Sequence, residues 1–247
     1  MATVLLLRHG RTTANAGGTL AGWTPGVELD DTGREQADAL GARLADTPLV
    51  LLVTSPLIRC RQSAERLLGA RGAELPPVPL EEDERLGECR YGAWTGRPLA
   101  ELAAEPLWHV VQNQPSAARF PDGEEFPGES LRDMAARAVD AVRATDARVE
   151  AAFGPSALWA AVSHGDVIKS VVADAAGTPL DLFQRYVIDP ASLSVVRYTD
   201  ARPFLVRFND TGRAPMAPPA PHHGEHGDGS GHGAAAGDAA VGGSTGA

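Results

Sequence analysis

The chain has 247 residues and a mass of 25.8 kDa, with 43% apolar residues, 22% charged residues and a formal net charge of −10. That leaves room for one large α/β domain or two small ones around an ordinary core. It argues against a nucleic-acid or anionic-membrane binder, which would carry a basic face. Two cysteines, Cys60 and Cys89, form no disulfide framework, so a reduced compartment is expected. The first apolar run, Val4 to Leu7, is too short for a signal sequence. No run approaches the roughly 18 apolar residues of a membrane span, so the chain reads as cytoplasmic.

In chain order, Thr3–Leu7 is an apolar run that predicts a buried strand, and it stops at Arg8-His9-Gly10. Thr32-Gly33-Arg34-Glu35 has the form of a capping box, opening a helix with Ala37, Leu40 and Leu44 on one face. Leu49–Val53 predicts a second strand, with Ser55-Pro56 as N-cap and first residue of the next helix. A long helix is expected from Ser130 to Ala152, where Leu131, Met134, Ala138, Val142 and Val149 share a stripe. Ala157–Val162 is a third strand, followed by Ser163-His164-Gly165 and a helix to Ala176. Thr178–Asp181 caps a short helix, and Leu193–Tyr198 and Phe204–Phe208 are late strands. Strands alternating with helices imply an α/β three-layer sandwich, with a mostly parallel central sheet covered by helices on both faces.

The composition changes near Arg213. Residues 214–247 are rich in Pro, Gly, Ala and His and contain no aromatic residue. Such a segment buries too little to offset its ordering entropy and is expected to be a disordered tail beyond a domain of residues 1–213. His222, His223, His226 and His232 lie in it, either solvated or loosely metal-binding.

Chemistry-bearing residues collect where strands end. Arg8-His9-Gly10, Ser55–Arg59 and Ser163-His164-Gly165 each follow a predicted strand, and parallel sheets bind ligands at the carboxyl ends of their strands. Arginine offers bidentate donors to a phosphate dianion. A helix N-terminus adds backbone N–H groups. A neutral histidine can attack phosphorus, and a carboxylic acid is then needed to protonate the departing oxygen.

Leu6-Leu7-Arg8-His9-Gly10-Arg11-Thr12 resembles the signature of the histidine phosphatase superfamily, the phosphoglycerate mutase-like proteins. Thr54–Arg59 resembles the family's second phosphate-arginine motif, Glu88–Gly96 its acid-bearing segment, and Ser163–Lys169 its second-histidine segment. The order and approximate spacing agree from about Thr3 to Tyr198. The Ser-His-Gly-Asp-Val-Ile-Lys form is similar to an actinobacterial probable-phosphomutase subfamily.

The resemblance implies that His9 is the phosphorylated nucleophile and Glu88 the general acid and base. It implies that Arg8, Arg59 and His164 surround the phosphoryl oxygens, with Asn15 and the Gly165 backbone in the same pocket. It implies a charged His164 and neither metal nor cofactor. Glu84 and Asp83 are the alternative acids in the same acidic stretch. Arg11 and Arg61 are either surface charges or substrate contacts, and His109 reads as half-buried packing. Cys60 and Cys89 each follow a proposed site residue, which allows buried thiols or a redox pair.

The expected activity is hydrolysis of the phosphomonoester of a small metabolite. The alternatives are a phosphomutase and a non-catalytic phospho-ligand binder. Between Gly96 and Pro127 the only basic residues besides His109 are Arg97 and Arg119, without the Arg-Arg pair and lysine of the glycolytic mutases. A nucleotide-binding fold would need a glycine-rich fingerprint after the first strand, and Arg8–Ala16 has none. Selectivity is expected from the Gly18–Val27 loop and the insertion between Arg97 and Glu129, whose Trp23, Trp108 and Phe120 serve either substrate contact or loop packing.

Overall fold

The computed structural model describes residues 1–212; the expectations for the tail and its histidines lie outside them. The strands are β1 (Thr3–Arg8), β2 (Leu49–Thr54), β3 (Leu80–Glu82), β4 (Leu158–Ser163), β5 (Leu193–Arg197) and β6 (Phe204–Asp210). The α-helices are α1 (Thr13–Ala16), α2 (Asp31–Leu44), α3 (Ile58–Gly69), α4 (Leu99–Leu102), α5 (Pro106–Asn113), α6 (Leu131–Phe153) and α7 (Gly165–Ala175).

The sheet runs β3-β2-β4-β1-β5-β6. β1, β2, β3 and β4 are mutually parallel, and β5 runs antiparallel to both β1 and β6. The sheet is therefore mostly parallel, as expected from the alternation of strands and helices.

Side chains of a strand alternate between faces, and here both faces are apolar. Leu5, Leu7, Leu52, Ala160 and Val162 pack with Leu40 and Leu44 of α2 and Ala64 and Leu67 of α3. Val4, Leu6, Val53, Trp159 and Ala161 face the other way, onto Met134, Ala138 and Val142 of α6 and Val167 and Val171 of α7. Two separate cores on one sheet make the three layers. They also explain why the central strands read as unbroken apolar runs.

Three local expectations are corrected. The N-cap of α2 is Asp30, whose Oδ1 accepts the Gly33 N–H at 2.7 Å, while the Thr32 hydroxyl accepts from Arg11 Nη2 at 2.8 Å. The helix after β2 begins at Ile58, with Leu57 at the N-cap position; the Ser55 hydroxyl, 2.8 Å from His164 Nε2, accepts the Leu57 N–H at 3.3 Å ahead of the helix. The segment Leu180–Arg185 winds as a 3₁₀ helix. β3, α1, α4 and α5 had no sequence signal. β3 is three exposed residues, Leu-Glu-Glu, and the helices are one or two turns long.

Two glycines let α2 press on the chain after β1. A Cβ on Gly10 would lie 2.3 Å from the Gly33 carbonyl oxygen, and one on Gly33 would lie 1.9 Å from the Arg11 carbonyl oxygen. This backbone-to-backbone approach fixes the turn that carries His9. Gly33→Ala is expected to cost about 1–3 kcal/mol or more, read as a lower urea midpoint at unchanged m-value. An unshifted midpoint would mean that α2 slides to accommodate the methyl.

Candidate active site

The central strands β1, β4 and β2 end side by side, and their hydrogen bonding continues past the ends. The His9 N–H donates to the Ser163 carbonyl at 3.1 Å, and the Ser55 N–H to the Val162 carbonyl at 2.9 Å. His9 and His164 therefore meet, with ring centroids 5.2 Å apart and planes at 62°. This is the place where ligands bind in open α/β sheets. A cleft of about 420 Å³ opens here, lined by His9, Asn15, Arg59, Glu88, Tyr91 and Leu99, together with Thr12, Ala14 and Gly18–Gly22.

His9 is buried, and its Nδ1 lies 2.7 Å from the Gly10 carbonyl oxygen. A carbonyl only accepts, so Nδ1 carries the hydrogen and the neutral ring's lone pair is on Nε2. Burial, then Arg59, then Arg8 hold the ring's pKa well below the ordinary histidine value. His9 is thus neutral near pH 7, the state in which an imidazole can act as a nucleophile.

The two guanidiniums are buried by different elements. Arg8, the last residue of β1, donates to the Ile188 carbonyl at 2.6 Å. Arg59, in the first turn of α3, donates to the Gly22 carbonyl at 2.9 Å, tying the helix to the loop across the cleft.

His164 Nε2 lies 2.8 Å from the Ser55 hydroxyl and 3.4 Å from Cys60 Sγ. Burial, Arg59 and the neighbouring His9 push its pKa well below the ordinary value. His164 is held neutral by burial and these neighbours, and Arg8 and Arg59 carry the positive charge of the site; the charge expected on His164 is one it would take beside a phosphoryl group.

Glu88 is held from several sides. Its carbonyl accepts from the Trp23 indole at 2.6 Å and from Arg137 Nη2 at 2.9 Å. Its Oε1 accepts from the Cys89 N–H at 2.9 Å, and its Oε2 is 3.9 Å from His164 Nδ1. Gly87 leaves room for Trp23, since a Cβ there would meet the indole at 2.4 Å. Burial first, then the Asp166 carboxylate, push the Glu88 pKa up to about 7. The alternative acids are engaged elsewhere: Glu84 is exposed and pairs with Arg90, and Asp83 pairs with Arg85.

Asn15 lines the cleft, but its Oδ1 accepts the Thr12 N–H and hydroxyl as the capping box of α1. Gly165 is buried as the first residue of α7, behind His164. Arg11 bonds to Asp30 and Thr32, and Arg61 pairs with Glu82. Cys60 and Cys89 are both free and buried, and burial raises the Cys60 thiol to about 12.

Of the proposed selectivity aromatics, Phe120 is core and Trp108 stacks on Trp94, while Trp23 braces Glu88. His109 is exposed on α5 rather than half-buried. Sequence reasoning missed Ser55 as the partner of His164, and Trp23 and Arg137 as supports of Glu88. No local pattern marks such contacts. Among the described residues, no helix is long and apolar enough to cross a membrane.

The raised pKa of Glu88 has a stability consequence. The folded state binds this proton up to about pH 7, and the unfolded chain only to about 4.5. Wild-type stability therefore falls as pH rises between these values. Glu88→Gln lacks this dependence. It should gain about 2–3 kcal/mol relative to wild type between pH 5 and pH 8, measured by urea unfolding. A difference that is constant with pH would mean that Glu88 titrates as an ordinary carboxyl.

The sequence profile of the histidine phosphatase superfamily (branch 1) matches residues 4–211. The 2,3-bisphosphoglycerate-dependent phosphoglycerate mutase 2 of Gloeobacter violaceus is 34% identical over 139 residues, 56% of this chain and 61% of that mutase. The chain thus spans less than two thirds of that relative. The glucosyl-3-phosphoglycerate phosphatase of Mycolicibacterium vanbaalenii is 33% identical over 180 residues, 72% of this chain and 76% of that protein. A solved mycobacterial glucosyl-3-phosphoglycerate phosphatase in complex with VO3 superposes with a TM-score of 0.70 at 26% identity, covering 84% of this chain and 99% of the other. With its two histidines on adjacent strand ends and a family match over nearly all the described residues, this chain belongs to the histidine phosphatase superfamily.

Proposed function

We propose that the protein hydrolyses the phosphomonoester of a small cytoplasmic metabolite through a phosphohistidine on His9, with residues 1–213 as the catalytic unit. The observation that carries this reading is the opposed tuning of His9 and Glu88 in one cleft. The histidine is held unprotonated beside two guanidiniums, while the carboxyl is pushed up to about 7. Pairs of titratable groups with pKa values driven apart mark acid and nucleophile assignments.

In this reading His9 Nε2 attacks phosphorus while Arg8 and Arg59 balance the phosphoryl charge. The His164 ring and the backbone at Gly165 complete the cradle, and the Asn15 amide borders it. Glu88 gives its proton to the departing oxygen. The resulting Glu88 carboxylate then takes a proton from the water that attacks phosphorus; the Nε2–P bond breaks, inorganic phosphate leaves, and neutral His9 and protonated Glu88 are restored. The guanidiniums supply the charge stabilisation that phosphoryl transfer requires, so the scheme needs no metal.

The mutase named among the relatives keeps phosphoryl return to a bound product as the second reading. The cleft wall favours hydrolysis. Beyond Arg59 and Glu88 it carries no charged side chain: Thr12, Asn15, Thr19 and Tyr91 are polar, and Ala14, Gly18, Leu20, Ala21, Gly22 and Leu99 complete it around His9. The nearby Arg97 is paired with Glu105, and Arg90 lies over Trp23 and pairs with Glu84. A wall of this kind offers the carboxylate of a phosphoglycerate no cation beyond those assigned to the phosphoryl group.

Burst kinetics with two esters test the assignment. His9→Ala should abolish the phosphoenzyme. Glu88→Gln should slow the alkyl phosphate burst by about 10²–10⁴-fold. It should slow the nitrophenyl phosphate burst far less, because that leaving group needs no proton. Equal losses for both esters would remove Glu88 as the acid. Transfer of label to added phosphoglycerate in preference to water would favour the mutase.

A further inference from the structure

One peptide group joins Arg8 to the last strand. The Ile188 carbonyl accepts Arg8 Nη1 at 2.6 Å, and the N–H of the same peptide, on Asp189, donates to Asn209 Oδ1 of β6 at 2.7 Å. Asn209 Nδ2 donates in turn to Asp189 Oδ2 at 2.8 Å. A backbone N–H only donates and a carboxylate only accepts, so the two partners fix which way the Asn209 amide points.

The turn that carries this peptide grips the end of β1 at several points. The Ala191 N–H donates to the His9 carbonyl at 3.1 Å, and the Arg8 N–H to the Ser192 carbonyl at 3.2 Å. The Ser192 N–H closes the turn on the Asp189 carbonyl at 3.1 Å. Ala191 has a φ of +53°, a region that few residues other than glycine adopt. Residues 188–192 therefore hold both the guanidinium of Arg8 and the backbone of His9, and Asn209 ties them to the sheet.

The backbone of Asn209 suits the same task. Between Leu193 and Val195 the pairing of β5 steps two residues while β6 steps three, from Asp210 to Arg207. Asn209 lies in that bulge with a φ of +48°, which asparagine tolerates better than most side chains. Its N–H donates to Ser194 Oγ at 3.1 Å. Glycine would serve the bulge alone; it is the amide that reaches Asp189.

We propose that Asn209 is a positioning residue for phosphate binding. By fixing the Ile188–Asp189 peptide it aims the carbonyl that orients the Arg8 guanidinium, and it does so without touching substrate. The inference rests on Arg8 being a ligand of the phosphoryl group.

The test is the dissociation constant of inorganic phosphate, measured by calorimetry on the full chain, with urea midpoints to show that each variant is folded. Asn209→Gly keeps the freedom of the bulge and removes both side-chain bonds. It should weaken phosphate binding about tenfold, within the range of couplings inside one hydrogen-bond network. Arg8→Lys keeps the charge but loses the planar fork, so it should weaken binding on its own. Adding Asn209→Gly to Arg8→Lys should then cost less than about twofold, because the group that Asn209 orients is gone. A merely structural residue would cost the same in both backgrounds. That result, or an unchanged constant in Asn209→Gly, would overturn the inference.

Exchanging the pair gives a second readout, which decides the matter if Asn209→Gly unfolds. Asn209→Asp sets two carboxylates face to face and should weaken binding. Asn209→Asp/Asp189→Asn keeps the bond to the backbone N–H of residue 189 and reverses the other, so it should restore affinity. A folded double variant that stays as weak as Asn209→Asp would sink the proposal. If Arg8→Lys binds phosphate as tightly as wild type, what fails is the assignment of Arg8 to the phosphoryl group, on which the inference rests.

Discussion

Two guanidiniums buried at the carboxyl ends of a parallel sheet are the constraint on which the rest of the site depends. Arg8 and Arg59 are 1% and 2% exposed, and cations at that depth are costly unless donors and counter-charges are arranged around them. The backbone meets part of the need through the Ile188 and Gly22 carbonyls. The remaining effect is a positive potential at the strand ends. In the proposed reaction it attracts a phosphate dianion, and it adds to burial, the larger cause, in keeping His9 and His164 from holding a second proton. One electrostatic feature thereby serves the proposed phosphate binding and the neutral state of the proposed nucleophile.

The same potential works against an acid. Glu88 keeps its proton up to about pH 7 because burial, assisted by the Asp166 carboxylate one residue beyond the buried Gly165, raises its pKa. The backbone around Glu88 is pinned by Trp23 and Arg137, from a loop and a helix far apart in sequence. These supports keep a strained electrostatic choice in one geometry. The expected cost is stability, since the protein loses folding free energy as Glu88 is forced to ionise.

Sequence and structure agree best where periodicity and burial say the same thing. Val4 to Leu7 and Leu49 to Val53 are apolar without alternation because both faces of the sheet are covered, so the central strands and the layer order were legible. The two histidines were legible because each ends such a run. What eluded sequence reasoning depends on contacts distant along the chain: Ser55 on His164, Tyr91 on Asp166, Arg137 on the carbonyl of Glu88. β3 was invisible because an exposed Leu-Glu-Glu becomes a strand only through the neighbouring edge of β2.

The most direct measurement concerns which ring nitrogen bears phosphorus. The Gly10 carbonyl holds the hydrogen of His9 on Nδ1, so attack must come from Nε2. Trapping the phosphoenzyme by rapid quench in base, followed by phosphorus–nitrogen coupling in a ¹⁵N-histidine-labelled sample, distinguishes the two positions. The account predicts a single phosphohistidine at His9, bonded through Nε2. Phosphorus on Nδ1, on a different residue, or on none under turnover conditions would contradict it.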